Sequence, residues 1–245
     1  MATPSILVDP TLLFEFTIAI ARFEPKNRKS KTRKTTSKSG LSNERWLLSE
    51  NHVLPHFASL TSHLCHSTVY AAWSEAGLYF MVRVQGKSSL PRFIQPRGGF
   101  SDGLRIWIDT RNSPGIHRAT RFCHCFHFFP GLPKSSSAAK INDLPLGILD
   151  EIPRAREHPA AISNGDLEVQ SEFTADGYSL WAHIPSQCLT GFSPLEFDRI
   201  SLFYDVVDQE LGTQSMTLGP ELRYAEDPSL WVQANLRESF VTAKF

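Results

Sequence analysis

The sequence predicts an all-β fold: two antiparallel sheets packed face to face as an immunoglobulin-like or jelly-roll-like β-sandwich. Three observations lead there. Apolar residues recur at period two in one segment after another, turn residues separate those segments, and almost no stretch carries the 3.6-residue period of an amphipathic helix. The chain has 245 residues, 41% of them hydrophobic and 20% charged, which suffices for one large core. A single domain over residues 1–245 is expected, and no internal repeat divides it.

Taken in order, residues 6–23 read as one strand or two, with Leu13, Phe14, Phe16, Ile18 and Ile20 supplying the apolar side. Residues 25–40 (PKNRKSKTRKTTSKSG) contain no large apolar side chain, so they predict a basic flexible loop or linker within the domain. From residue 68, TVYAAWSEAGLYFMVRVQG reads as a hairpin turning at Glu75 to Gly77. Beyond the turn Leu78, Phe80, Val82 and Val84 alternate with Tyr79, Met81 and Arg83. Residues 103–109 (GLRIWID) repeat the pattern, with Leu104, Ile106 and Ile108 opposite Arg105, Trp107 and Asp109. Residues 119–129 (ATRFCHCFHFF) form a third long strand with aromatic groups on both sides.

Residues 131–165, rich in Pro, Ser, Gly and Ala, predict a long irregular surface excursion with a short helix near Arg154 to His158. LEVQSEFTADGYSLWAHIP then reads as a hairpin turning at Asp176 and Gly177. Residues 199–208 place Ile200, Leu202, Tyr204 and Val206 opposite Ser201, Phe203 and Asp205, and residues 227–237 give a short turn and a closing strand.

Charge is uneven along the chain. The formal net charge is zero, yet residues 22–38 hold eight Lys or Arg against one Glu, which leaves the rest acidic. The basic run has no interleaved aromatic residue for base stacking, so nucleic acid is a disfavoured partner. The apolar stretch at residues 11–21 contains Glu15 and precedes the basic residues, the reverse of a secretory signal, and it is too short for a membrane span. A soluble cytoplasmic protein with no membrane partner is expected. Cys65, Cys123, Cys125 and Cys188 match neither zinc-knuckle nor dithiol spacing and are expected to be free thiols.

The segments YAAWSEAGLYFMVRV, SDGLRIWIDTR, GYSLWAHIP and SLFYDVVD, spread over roughly residues 68–235, resemble in their order the β-sandwich domains of the family 9 carbohydrate-binding modules and the related DOMON-like domains. A closer resemblance is to uncharacterised bacterial proteins common in planctomycetes, carried by SDGLRIWIDTR, HRATRFCH, IPRAREHP, EDPSLW and LTGF. The resemblance implies a sandwich fold and, from the wider family, a sugar-binding role. It also brings the family's use of loop carboxylates for structural calcium. Asp102, Asp109, Asp143, Asp205 and Asp208 are scattered acids here, without a compact run of alternating oxygen ligands, so their spacing lends calcium no support.

The residues themselves point to one binding face. Arg83, Arg105 and Trp107, with Tyr79, lie opposite the apolar alternation of two strands that would be neighbours in a sheet. An outward indole flanked by guanidinium donors suits the apolar face of a pyranose. These four residues are the candidate site for a saccharide or other small polar ligand. The competing reading has Trp107 covered by residues 131–165.

A second group is weaker. Cys123, Cys125 and His127 share one side of a strand, and soft sulfur with imidazole suits zinc, with His117 or Cys65 as a further ligand. Buried thiols and hydrogen-bonded histidines account for the same residues, so no cofactor is expected. Three classes therefore stay open: a non-catalytic binding domain, a metal-assisted or cysteine-based enzyme using the His117 to His127 region, and a structural or protein-interaction sandwich with no small ligand. A Cys123, His127 and Asp109 set could be assembled for catalysis, but no GxSxG, HExxH or phosphate-loop pattern accompanies it.

Overall fold

Period-two alternation becomes eleven strands in the computed structural model, which describes residues 16–24, 48–57, 65–93, 101–133, 144–163, 165–217 and 222–238. They are β1 (Thr17–Arg22), β2 (Ser67–Ser74), β3 (Gly77–Gln85), β4 (Gly103–Asp109), β5 (Cys123–Phe129), β6 (Leu146–Asp150), β7 (Glu168–Thr174), β8 (Gly177–Pro185), β9 (Arg199–Asp208), β10 (Gly212–Ser215) and β11 (Val232–Arg237). Among the described residues the only helical segments are short 3-10 turns. The first part of the predicted N-terminal strand and the basic segment at 25–40 lie outside the described residues.

The strands follow one hydrogen-bonded path, β6-β5-β4-β9-β11-β1-β2-β3-β8-β7, with β10 added to β9. The path folds back on itself as a nearly closed sandwich. We call β6, β5, β4, β9 and β11 the first layer, and β2, β3, β8 and β7 the second. Pairing is antiparallel except at β1, which runs parallel to both neighbours and joins the layers: Thr17 to Ala21 face Gln233 to Arg237 of β11, and Ala21 and Arg22 face Ala72 and Trp73 of β2.

Three expectations are corrected. The stretch at 131–165 is not wholly irregular, because β6 lies inside it and pairs with β5 from Leu146 opposite Phe129 to Asp150 opposite Cys125. The short helix near Arg154 is absent, and turns and bends occupy 153–157 instead. Finally, β3 and β4 are not neighbours. β3 pairs with β2 and β8, whereas β4 pairs with β5 and β9. The connection after Gln85 carries the chain from one layer to the other.

The inward side chains are as the alternation predicts. Leu78, Phe80, Leu104 and Ile106 are all at most 2% exposed. Leu104, Ile106 and Ile108 meet Phe128, Phe126 and His124 on one side, and Val206, Tyr204 and Leu202 on the other. Tyr79 and Trp107, on the opposite strand faces, are also only 2% exposed. Period two thus sorts the faces correctly, but both faces are covered.

Candidate functional site

On the outer face of the first layer, strand register sets two rungs side by side. One runs Asp205, Arg105, His127, Ile148, and the next runs Phe203, Trp107, Cys125, Asp150. The first is polar where the second is largely aromatic and apolar, because each strand contributes alternate residues to this face.

Arg105 is the centre of the polar rung. Its Nε donates to Asp205 Oδ1 at 2.7 Å, and Nη2 donates to Asp205 Oδ2. The Asp205 carboxylate is fully buried while the Arg105 side chain keeps 23% exposure. Tyr224 also donates to Asp205, at 2.9 Å. Burial alone would lower the Arg105 pKa, but the Asp205 charge and hydrogen bonds outweigh it and raise it. The guanidinium is therefore a fixed cation, lying 5.3 Å over the Trp107 ring, with Nη1 as the nitrogen that Asp205 leaves unused.

Beside it, His127 is neutral. Burial, and then the Arg105 charge, push its pKa down to about 4. Its Nε2 lies 3.8 Å from Asp150 Oδ2, too far for a hydrogen bond and, with an uncharged imidazole, not an ion pair. Asp150 keeps 37% side-chain exposure, so its carboxylate stands as an acceptor next to an imidazole.

Along β6 this face opens into a groove of about 940 Å³, lined among others by Ile148, Asp150, Arg154, His158 and Ile162. Its far wall, the segment after β6, is tied to the body. Arg156 N–H donates to Ala119 O at 2.7 Å, Arg118 Nε donates to Arg154 O at 2.8 Å, and Ala160 N–H donates to Thr190 Oγ1 at 3.2 Å.

Trp107 is not an open platform. Phe203 and Tyr224 meet its ring edge-on, with centroids 6.1 and 5.3 Å away, and these two stack on each other at 4.2 Å. Among the described residues, this cover comes from Phe203 of β9 and from Tyr224 in the segment before β11. Arg83 and Tyr79 stand on the outer face of the other layer. Tyr79 stacks on His183 at 4.5 Å and meets Phe23 at 5.4 Å. Arg83 lies 5.4 Å over Tyr70. The four residues grouped by sequence thus form two pairs on two layers.

The cysteine and histidine group is dispersed. Among the described residues no three His, Cys, Asp or Glu side chains converge as metal ligands. His117 is exposed, with Nδ1 at 3.1 Å from both Asp227 Oδ2 and Ser229 Oγ. Cys65 lies on the surface, 3.6 Å from His56 Nδ1. Cys123 and His127 are four residues apart on one extended strand, about 13 Å at the strand rise. Burial, then Asp109, pushes the Cys123 thiol up to about 12, while Asp109 accepts from the backbone of Arg111 and Ser113 at 2.9 and 2.7 Å. The three form no nucleophile, base and orienter set.

Sequence reasoning placed Asp205 on the right face without assigning it a role. It missed Asp150 because β6 was not recognised, and missed Tyr224 because its segment has no periodicity.

No family model matches the chain, and no curated protein matches it. Neither comparison supports the resemblance to planctomycete proteins. Among solved structures, a family 9 carbohydrate-binding module from Caldicellulosiruptor kristjanssonii in complex with cellotriose is similar over 94% of this chain and 98% of its own, at 13% identity and TM-score 0.55. A family 9 module from the same organism in complex with glucose is similar over 94% and 100%, at 12% identity and TM-score 0.55. At such identity the likeness concerns architecture: this chain has a β-sandwich fold distantly like that of the family 9 carbohydrate-binding modules.

Proposed function

We propose that the protein is a non-catalytic binding domain that holds a saccharide or other small polar ligand on the outer face of its first layer. Arg105, His127 and Asp150 are its contacts, and the groove along β6 receives the rest of the ligand. The observation that carries this reading is Arg105, whose guanidinium is oriented by a buried carboxylate and still reaches solvent. A donor fixed before binding loses little entropy when a hydroxyl arrives. Asp150 adds an acceptor, and His127 adds a neutral ring beside both. Trp107 supports the Arg105 guanidinium from beneath and does not itself stack on the ligand. The architectural likeness to modules bound to glucose and cellotriose favours a sugar over other polar ligands, although fold does not fix function.

Calorimetry with glucose and cello-oligosaccharides at millimolar concentration tests it. Wild type is expected to bind, and Asp150→Ala, at a partly exposed position, is expected to weaken binding at least roughly tenfold without lowering the melting temperature. Absence of binding by demonstrably folded protein to these and to a broader glycan array would overturn the reading.

A further inference from the structure

The second layer has its own outer face, and its chemistry differs. Its central rungs run Thr68, Arg83, Ser179, Glu172 and then Tyr70, Met81, Trp181, Gln170. Arg83 is half-buried. Its nearest described partners are the Tyr70 ring, 5.4 Å below the guanidinium carbon, and the Tyr70 hydroxyl, 3.5 Å from Nη1.

Two other strand arginines are neutralised. Arg105 is held by Asp205, and Arg22 by Glu75 and Glu238 at 2.6 and 2.8 Å. Arg83 has no carboxylate within ion-pair distance among the described residues. One rung away, diagonally across β3 and β8, the indole N–H of Trp181 is buried and has no hydrogen-bond partner. The two observations are independent, and both are donors in search of an acceptor. Ser179 and Gln170, each half-buried, flank them.

We infer that this face is a second binding site, selective for a carboxylate-bearing saccharide, a uronate, with the carboxylate taken by Arg83. A guanidinium parked on a phenol ring holds a weaker contact than the paired hydrogen bonds a carboxylate offers it. A planar oxyanion can also accept from a second donor such as the Trp181 N–H. Tyr70 is 3% exposed beneath the Arg83 guanidinium, so it seats the cation and does not itself meet the sugar ring. A neutral sugar would leave the Arg83 charge unanswered, so selectivity follows from charge as well as fit. The site does not depend on the groove at β6.

The test is the indole N–H resonance of Trp181, followed by proton–nitrogen NMR while sodium glucuronate, glucose or sodium acetate is added. Glucuronate is expected to shift that resonance and glucose is not. Acetate, which carries the carboxylate without the ring, is expected to act at least roughly tenfold more weakly. Arg83→Met should abolish the glucuronate response, and Arg83→Lys, which keeps charge but loses the planar fork, should weaken it at least roughly tenfold. Thermal melts establish that both variants are folded, and the lysine variant serves if the methionine variant is not. The inference is overturned if glucuronate leaves the resonance unmoved, if the response survives in a folded Arg83 variant, or if acetate or glucose matches glucuronate. Glucose binding weakened by Asp150→Ala would stand through any of those results, so the two sites fail separately.

Discussion

The Lys87 ammonium sits 2.8 and 2.7 Å from the two carboxylate oxygens of Asp208, and 3.1 Å from Asp102 Oδ2. All three side chains are at most 2% exposed. The trio joins three connections: the one leaving β3, the one entering β4 and the one leaving β9. Each carboxylate is completed by backbone donors, from Gln209 and Arg92 to Asp102, and from Glu210 and Leu211 to Asp208.

Lys87→Met should therefore be among the most damaging single changes. It leaves two buried carboxylates facing each other without their cation, and breaking a buried ion pair from one side costs about 3–5 kcal/mol. Urea unfolding at neutral pH measures it. Burial alone would lower the Lys87 pKa, but bonds to Asp208 and Asp102 raise it overall. A raised lysine pKa contributes stability that is complete below the ordinary lysine pKa and is lost as pH climbs through the folded value. The difference between wild type and the variant should accordingly hold across neutral pH and narrow only in strong alkali. A loss under 1 kcal/mol at pH 7 would show that the trio is not closed to water.

Trp107→Ala should unfold or severely weaken the protein. The ring is 2% exposed and is enclosed by Phe203 and Tyr224, so its removal leaves a cavity worth about 3–5 kcal/mol. Thermal unfolding distinguishes this from a surface binding role, in which the melting temperature would stay put.

Gly77→Ala should disrupt the β3 and β8 pairing at its end. Gly77 has φ of +142°, and a Cβ there would lie 2.0 Å from the Ile184 carbonyl oxygen. Backbone cannot yield as a side-chain tip does, so a loss of at least about 2 kcal/mol is expected. Unchanged unfolding in denaturant would mean that the hairpin is looser than its register implies.

How far the sequence could be read follows from where its periodicity is clean. β4 and β9 match the expected residues 103–109 and 199–208, because Leu104, Ile106, Ile108 and Ile200, Leu202, Tyr204 mark one face without interruption. β6 was hidden: in Leu146 to Asp150 a glycine and an acid interrupt three aliphatic residues, two of them adjacent, so no period-two alternation shows, and Pro, Ser and Gly surround them. Strand adjacency was illegible for a different reason. Alternation tells which face a side chain takes but not which strand lies next door, so Arg83 and Arg105 were grouped although the chain changes layers between them. Nor does alternation report cover. Tyr224, which closes over Trp107, comes from a turn-rich segment that no local pattern ties to β4.

Acid should destabilise the fold through its buried histidines. His124 is fully buried. Its Nε2 accepts from Thr190 N–H at 3.0 Å, so the proton sits on Nδ1, which donates to Phe122 O at 3.0 Å. Burial lowers the pKa of His124, and of His127, to about 4. Between the ordinary histidine value near 6.5 and about 4, the unfolded chain binds protons that the folded chain refuses, so stability falls as pH falls through that window. The displacement corresponds to about 3 kcal/mol for each ring. Stability from urea unfolding is expected to be flat from pH 8 to 7, to decline from about pH 6.5, and to have lost several kcal/mol by pH 4. The pKa values of His52 and His66 are also lowered by burial and add to the decline, so His127→Asn, which cannot titrate, should remove part of that slope, and a profile equally steep in this variant would show that other groups carry the acid response.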